Sequence, residues 1–388
     1  MRLAFLGVCL VLIGLNLRTV FSSFAAILSE VRADAGLPDW AVTALTTVPA
    51  TLLGIFAPLA PVLARRFGAE RVLFGAMVVL TAGLLIRPTE LGTLGHLPLL
   101  LFGTALCGAA IALCNVILPT VVKRDFQHRL GLMGGLYTTA ICASAALGAG
   151  FTYPLFELSG QWTTALIFWA VPAAVVVLLF APLAFSAPHH RESVDAEGAN
   201  VWRSPVAWQV TLFMVLQAMS SFSVFAWLAP VLRERGIDGG AAGVMVSVSI
   251  LLQMLGSLIA PALAAKFWDQ RVINMVLALM TGSGFALSIL GPIGGIWAWI
   301  ALLGLGQGAL TAVALTMIML RTRDQHTAAR LSGMMQGVGY GVGSVGTLMV
   351  SWTHQLTGAF TLAGWVFLGI SLAGAVFGYL AGRRRFVE

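Results

Sequence analysis

The sequence predicts an all-α membrane protein with twelve transmembrane helices, and three observations support this fold class. The chain has 388 residues, of which 59% are hydrophobic and only 10% are charged, whereas soluble domains carry about 25% charged residues. Its mean hydropathy is +0.93. Twelve apolar runs follow one another along the chain, and about 20 apolar residues span a bilayer as a helix. A water-soluble enzyme, a disordered chain and a secreted disulfide scaffold are therefore excluded.

The apolar runs divide into two groups of six. In chain order they cover residues 4–29, 40–64, 71–88, 97–122, 130–156, 161–185, 205–232, 240–265, 271–291, 295–320, 331–354 and 359–382. A polar stretch separates the sixth run from the seventh. We therefore expect an N-terminal six-helix bundle at 1–185, a cytoplasmic linker at 186–204 and a C-terminal six-helix bundle at 205–388.

The basic residues predict how the bundle is oriented. If successive runs alternate in direction, seventeen of the 22 Lys and Arg residues fall on the side that holds both termini. Four fall on the other side, and these are Arg32, Arg87, Arg233 and Arg235. Basic residues accumulate in cytoplasmic loops of membrane proteins, so both termini are expected in the cytoplasm. The net charge of +7 is then a topology signal, and no nucleic-acid partner is expected.

The two halves of the chain repeat each other in sequence. With an offset of 200 residues, the segment 61–72 matches 261–272, with Pro, Phe and two basic positions in the same register. Spans 1–3 therefore correspond to spans 7–9. Two parallel six-helix repeats are an architecture of secondary transporters.

Arg18 is the single charged residue that the sequence places deep inside a predicted span. About 14 residues precede it in that span, which at 1.5 Å per residue is a depth of about 20 Å. A charge at the bilayer centre costs at least about 2.5 kcal/mol and usually faces a partner or a cavity. A guanidinium suits planar groups that carry oxygen. Two interpretations remain open: Arg18 binds an anionic or dipolar substrate, or it ties its helix to neighbouring carbonyls.

Other polar and aromatic side chains are predicted near the middle of the membrane. Each has an ordinary structural explanation, because membrane helices are joined by polar side chains and aromatic residues lie at the bilayer interface. Ser144 is one of these polar groups. A substrate contact is less expected for it, because a Ser hydroxyl often bonds the backbone of its own helix. The predicted substrate contacts besides Arg18 are Asn16, Thr47, Asn115, Gln217, Trp227, Gln307, Gln336 and Tyr340.

Residue types that are missing from the spans narrow the function further. Every Asp, Glu and His lies in a loop or at the end of a predicted span, whereas a membrane-embedded enzyme needs a nucleophile with its base, or a metal cluster, within the spans. We therefore expect no enzymatic activity, no metal and no cofactor. A transporter is the leading hypothesis, and a receptor or scaffold that binds a ligand without moving it remains the alternative. A buried carboxylate that relays protons is not expected.

Several short motifs resemble one transporter family. They are Leu15–Arg18, Leu45–Pro49, Ala64–Gly68, Leu118–Phe126, Trp202–Pro205, Asp269–Arg271 and Leu331–Met334. Together they resemble the cyanate/2-nitroimidazole transporter branch of the major facilitator superfamily. Two departures stand out, because Thr19 follows Arg18 where many members have Pro, and Arg65 stands where the superfamily usually has Asp.

The resemblance implies a fold of two pseudo-symmetric six-helix halves and a function by alternating access. The substrate would be cyanate, a 2-nitroimidazole-like ring or a related small organic anion. The protein would be a monomer in the cytoplasmic (inner) membrane of a bacterium, with the lipid bilayer around it. In this superfamily the first, fourth, seventh and tenth membrane spans line the cavity. Asn115, Gln217 and Gln307 lie in the fourth, seventh and tenth predicted spans, which supports their assignment as substrate contacts. The predicted gating residues of the cytoplasmic loops are Arg65, Arg66, Arg71, Lys266 and Arg271.

Overall fold

A computed structural model describes residues 2–92, 95–186 and 200–388. Most of the predicted linker at 186–204 therefore lies outside the described residues. The side chain of Thr47 also lies outside the described part, although its backbone belongs to a helix.

The described residues form α-helices that are joined by short turns. In chain order the helices are α1 (Arg2–Gly14), α2 (Thr19–Ala26), α3 (Leu28–Asp34), α4 (Asp39–Phe56), α5 (Leu59–Phe67), α6 (Ala69–Ile86), α7 (Leu97–Asp125), α8 (Leu130–Ser159), α9 (Trp162–Ile167), α10 (Ala170–Ser186), α11 (Pro205–Glu234), α12 (Gly239–Lys266), α13 (Arg271–Leu290), α14 (Ile296–Leu320), α15 (Gln325–Gly343), α16 (Val345–Thr357) and α17 (Thr361–Ala381).

Ten helical stretches of the described part are long and apolar enough to cross a membrane. The other two predicted spans, 40–64 and 331–354, each consist of two consecutive helices. The first is interrupted at Pro58, which has no N–H and whose ring clashes with the preceding turn. The second is interrupted at Ser344, after a Gly-rich segment of low helix propensity. All twelve predicted runs are helical, although not every run is one uninterrupted helix.

The helix boundaries repeat with the offset of 200 found in the sequence. Helix α4 begins at Asp39 and α12 begins at Gly239. The two repeats differ in their first span. Residues 15–18 form turns between α1 and α2, whereas α11 is continuous through the corresponding residues 215–218.

The chain forms two compact units. Unit 1 comprises Met1–Val121 and Ala140–Glu197, and unit 2 comprises Val122–Thr139 and Gly198–Glu388. In unit 1, α6 packs along α10. In unit 2, α12 packs along α14, α13 along α17 and α11 along α15.

Each unit has a hydrophobic core of its own. A core cluster of unit 1 contains Phe24, Ile27, Val31, Leu37, Leu45, Leu100, Trp162, Ala165 and Leu166. In unit 2, small residues let α12 and α14 approach closely. A Cβ atom on Gly304 would come within 2.6 Å of the Ser249 carbonyl oxygen. This packing fixes α14, the helix that carries Gln307.

Candidate functional site

The first span is broken in its middle, immediately before Arg18. The N–H groups of Asn16 and Leu17 bond three residues back, to the carbonyls of Ile13 and Gly14 at 2.9 and 3.2 Å. Such tight turns close a helix instead of continuing it. Arg18 is the N-cap residue of α2, which starts anew at Thr19.

The break follows from competition between the Asn16 side chain and its own backbone. The Nδ2 atom of Asn16 donates to the Leu12 carbonyl at 2.9 Å, the acceptor that the Asn16 N–H would use in a continuous helix. Asn side chains compete with helical hydrogen bonds in this way. The Thr19 hydroxyl then donates to the Asn16 carbonyl at 3.0 Å. Asn16 is buried, and its Oδ1 atom has no partner among the described residues.

Arg18 is held at the start of α2 by hydroxyl groups. Its backbone N–H donates to the Ser144 hydroxyl of α8 at 3.0 Å, and its carbonyl accepts from the Ser22 hydroxyl at 3.1 Å. The N-terminus of a helix carries a partial positive charge. The Arg18 side chain is partly exposed. A positively charged residue and the positive end of a helix dipole therefore occur at the same position of an apolar span.

Glycine on α8 lets α2 lie directly against that helix. A Cβ atom on Gly148 would come within 3.1 Å of Thr19 Cα and of Ser23 N, and would also meet the Ser22 hydroxyl. An added side chain at this position would force α2 to shift. The first turn of α2 is therefore fixed by close backbone packing as well as by the bond from Arg18 to Ser144.

Arg87 corrects the expectation that Arg18 is the single charge inside the apolar interior. The sequence placed Arg87 in an outer loop, but its side chain is 1% exposed and is among the largest fully buried side chains of the described part. Its Nη1 atom donates to the Val20 carbonyl at 3.0 Å. The guanidinium lies 4.7 Å from the ring centroid of Phe24. Arg87 thus contacts the same short helix that Arg18 begins.

The sequence does contain a signal for the buried position of Arg87. The third apolar run, 71–88, includes Arg87 together with Pro88. An arginine within an apolar run should be examined as an interior charge before it is assigned to a loop.

Unit 2 has its own group of buried carboxamides. The Nε2 atom of Gln217 on α11 bonds the hydroxyls of Ser221 and of Thr311, both at 2.6 Å. Thr311 donates to the carbonyl of Gln307, one turn earlier on α14. The Gln307 side chain is 1% exposed, and neither polar atom of its carboxamide has a partner among the described residues. Leaving a buried polar group unsatisfied costs about 1–3 kcal/mol, so Gln307 is suited to bind water or a ligand.

Helix α15 places Gln336 and Tyr340 one turn apart, and both are buried. Gln336 Nε2 donates to the Ser332 hydroxyl at 2.9 Å. The Tyr340 ring lies 5.9 Å from the ring of Phe222 on α11, centroid to centroid. The structure therefore places both residues beside polar or aromatic neighbours within unit 2.

Trp227 and Asn115 have different surroundings from the other candidates. The Trp227 indole donates to the Thr347 carbonyl at 3.1 Å, and its ring packs on Phe360. Asn115 lies on α7 of unit 1 and is partly exposed. The structure thus divides the predicted contacts, with Asn16, Arg18 and Asn115 in unit 1 and the other described candidates in unit 2.

The predicted gating residues lie at helix ends. Arg65 and Arg66 are exposed at the end of α5, and Lys266 is exposed at the end of α12. Arg271 begins α13, forms a 3.2 Å ion pair with Asp269, and lies 5.4 Å from the centroid of the Tyr379 ring. Arg71 is partly exposed.

Lys123 has a role that its place in a basic segment did not reveal. Its Nζ atom donates to the carbonyls of Met319 and Thr322 at 2.7 and 2.9 Å. These carbonyls lie at the C-terminus of α14, where backbone acceptors lack helical partners. A lysine there also complements the negative end of the helix dipole.

The fold and the sequence together determine the family. A family model described as Major Facilitator Superfamily matches residues 5–347. The chain is a member of this superfamily. It is therefore a multi-pass membrane transporter with the twelve-helix fold of the superfamily, in two pseudo-symmetric six-helix halves, and not an enzyme.

Several superfamily relatives match almost the whole chain. The "Uncharacterized transporter YycB" of Bacillus subtilis (strain 168) is 33% identical over 97% of this chain and 93% of its own length. The "2-nitroimidazole transporter" of Escherichia coli (strain K12) is 34% identical over 98% of this chain and 95% of its own length. The "Cyanate transport protein CynX" of the same organism is 28% identical over 94% of each chain.

A solved superfamily structure has the same fold. The proton:xylose symporter XylE, bound to 6-bromo-6-deoxy-D-glucose, superposes with a TM-score of 0.79. The match covers 99% of this chain and 97% of XylE, at 14% sequence identity. At that identity the likeness concerns the fold alone. The named relatives confirm the resemblance to the cyanate/2-nitroimidazole branch.

Proposed function

We propose that the protein is a secondary transporter for a small anionic or polar planar solute and that Arg18 binds this substrate. Cyanate, a 2-nitroimidazole-like ring and a related small organic anion are the candidates, because relatives carry the first two names. The protein acts by alternating access in the bacterial cytoplasmic membrane, as a monomer with both termini in the cytoplasm. The bundles at 1–185 and 205–388 are its moving halves.

The break of the first span is the observation that carries this proposal. A discontinuous membrane helix exposes an N-terminus with its positive dipole end, and transporters use such ends to bind anionic groups. Here Arg18 is the N-cap residue of α2. The corresponding position of the second repeat is Ala218 in the continuous helix α11. Positive charge and helix break therefore occur together, and in one repeat only.

The other predicted contacts have separate roles in this proposal. Gln307 supplies an unsatisfied carboxamide, and Gln217, Gln336 and Tyr340 supply further polar atoms. Asn16, Asn115, Thr47 and Trp227 are the remaining contacts. Arg65, Arg66, Arg71, Lys266 and Arg271 act in gating at the cytoplasmic loops.

Flux into proteoliposomes tests the role of Arg18. Cyanate and 2-nitroimidazole are offered separately to wild-type protein, to Arg18→Ala and to Arg18→Lys. We expect Arg18→Ala to fall to the flux of empty liposomes. Arg18→Lys should lose at least about tenfold in flux, because lysine lacks the planar fork of donors.

Arg233→Ala is the matched control, since Arg233 is an exposed arginine at the end of α11. It should retain wild-type flux, and size-exclusion chromatography should show that all variants are folded. Wild-type flux by Arg18→Ala would contradict the assignment of Arg18. Binding of either solute without flux would favour a receptor.

A further inference from the structure

The guanidinium of Arg87 is buried without an acidic partner. Its Nη1 atom donates to the Val20 carbonyl, and its guanidinium lies against the Phe24 ring. Within the described part of the chain no carboxylate forms an ion pair with it, and its Nε atom has no hydrogen-bond partner. A buried charge with so few partners is destabilising in itself, so its presence calls for a function.

The backbone around Arg87 is packed so that its position is fixed. Gly103 of α7 faces it, and a Cβ atom on Gly103 would come within 2.9 Å of both N and Cα of Arg87. The same added atom would lie 2.7 Å from the Gly83 carbonyl. The end of α6 is therefore in direct backbone contact with α7, and the Arg87 side chain extends from a rigid base.

The two groups that Arg87 contacts lie one turn apart on α2. Val20 and Phe24 are separated by four residues and so share one face of that helix. Because the chain is broken at residues 15–18, helical hydrogen bonds do not hold α2 in line with α1. The orientation of α2 then depends on lateral contacts. Ser144 and Gly148 supply such contacts from α8, and Arg87 supplies them from the end of α6.

We infer that Arg87 is a positioning residue for substrate binding, which fixes α2 through Val20 and Phe24 and thereby places Arg18. This inference rests on the proposed function, because it gives Arg18 the substrate. A role in stability alone does not require an arginine. Replacing a buried ion by an apolar side chain of similar volume is often neutral or stabilising. Arg87→Met should therefore fold and yet release α2.

Hydrogen–deuterium exchange of the purified full-length protein tests the inference without any substrate. In Arg87→Met, amides of residues 15–24 should exchange at least about tenfold faster than in the wild type, because local opening of α2 is less costly. Transport provides the second measurement. The KM for 2-nitroimidazole should rise about tenfold or more while the maximal rate changes little, since a small displacement of a binding group weakens binding strongly. Arg87→Lys, which keeps one donor and the charge, should give an intermediate KM.

Arg235→Met is the matched control. Arg235 donates to the carbonyls of Ser288 and Gly291 in unit 2. Its replacement removes hydrogen bonds from a guanidinium to backbone carbonyls, as in Arg87→Met, but none that involves α2. Exchange in residues 15–24 should stay at the wild-type rate in this variant. Phe24→Leu, which keeps an apolar side chain under the guanidinium, should accelerate the exchange by a smaller factor. It also keeps the inference testable if Arg87→Met does not fold.

The outcomes separate this inference from the proposed function. Unchanged exchange over residues 15–24 in folded Arg87→Met overturns the inference. Loss of flux in Arg18→Ala together with a normal KM in Arg87→Met overturns the positioning role alone. Normal flux in Arg18→Ala contradicts the proposed function, and the exchange rates then still decide whether Arg87 fixes α2.

Discussion

The backbone N–H of Arg18 donates to the Ser144 hydroxyl over 3.0 Å, and this bond joins α2 to α8. The Ser144 hydroxyl donates in turn to the Ile141 carbonyl at 2.7 Å. Its proton is thereby directed along α8, and its oxygen remains available to accept from Arg18. The helix break thus depends on a partner 126 residues away in the sequence.

Ser144→Ala should weaken the structure around Arg18. The variant leaves the Arg18 N–H without its acceptor, and an unsatisfied buried donor costs about 1–3 kcal/mol. We expect a lower midpoint of thermal unfolding in detergent and a weaker affinity for the transported solute. Ser159→Ala is the control, because that exposed hydroxyl bonds carbonyls of its own helix end and the next turn. Equal midpoints for Ser144→Ala and the wild type would show that the bond contributes nothing.

Gly148→Ala should displace α2, whereas Gly150→Ala should not. An added Cβ on Gly148 meets backbone atoms of Thr19 and Ser23 at 3.1 Å, but on Gly150 it meets nothing within 4 Å. Both glycines lie in α8, where alanine favours the helix by about 0.5–1 kcal/mol. Gly150→Ala should therefore be neutral or slightly more stable, with wild-type flux. Gly148→Ala should lose stability and flux. Identical behaviour of the two variants would refute the close contact of α2 and α8.

The positions of the helices could be predicted because they depend on local composition. The apolar run 205–232 corresponds to α11, and the run 271–291 corresponds to α13. The predicted and observed ends agree within two residues in both cases. The break at 15–18 could not be predicted in the same way. The residues around it are apolar enough for a span, and the break depends on the Asn16 side chain and on distant Ser144.

The candidate site was predictable in its residue types but not in its connections. Arg18 follows from its depth in an apolar run, and Gln307 from its helix in the family. Arg87 was missed although the apolar run 71–88 contains it, because the contacts of its side chain with Val20 and Phe24 are made by a helix distant in the sequence. The contrast between the hydrogen-bonded carboxamide of Gln217 and that of Gln307, which has no partner among the described residues, is likewise a tertiary property.

The stability of the protein should depend on pH through Asp324, which lies outside the membrane-spanning segments. Asp324 caps α15, where its carboxylate accepts from the N–H and the hydroxyl of Thr327, both at 2.8 Å. Burial alone would raise the pKa of Asp324, but hydrogen bonds from Thr327 and His326 outweigh it, so the pKa lies below its ordinary value of 3.8. The stabilisation is therefore complete above that value and is lost as the pH falls through the folded-state pKa.

Asp324→Asn tests this pH dependence, because Asn still caps a helix but carries no charge. The wild type should have the higher unfolding midpoint at pH 7. The difference between the two proteins should shrink as the pH falls below 3.8. A difference that stays constant, or that grows toward acid, would show that the charged form of Asp324 does not stabilise the cap.

Gln307→Leu distinguishes a binding carboxamide from a structural one. Because neither polar atom of Gln307 has a described partner, an apolar side chain of similar volume should leave the free energy of unfolding unchanged or raise it, by up to about 1–3 kcal/mol. Transport should nevertheless fall, since a group that contacts the solute is lost. Gln217→Leu is the comparison, because it removes the bonds to Ser221 and Thr311 and should lower stability. A loss of stability in Gln307→Leu as large as in Gln217→Leu would give Gln307 a structural role, and full flux in Gln307→Leu would remove it from the substrate contacts.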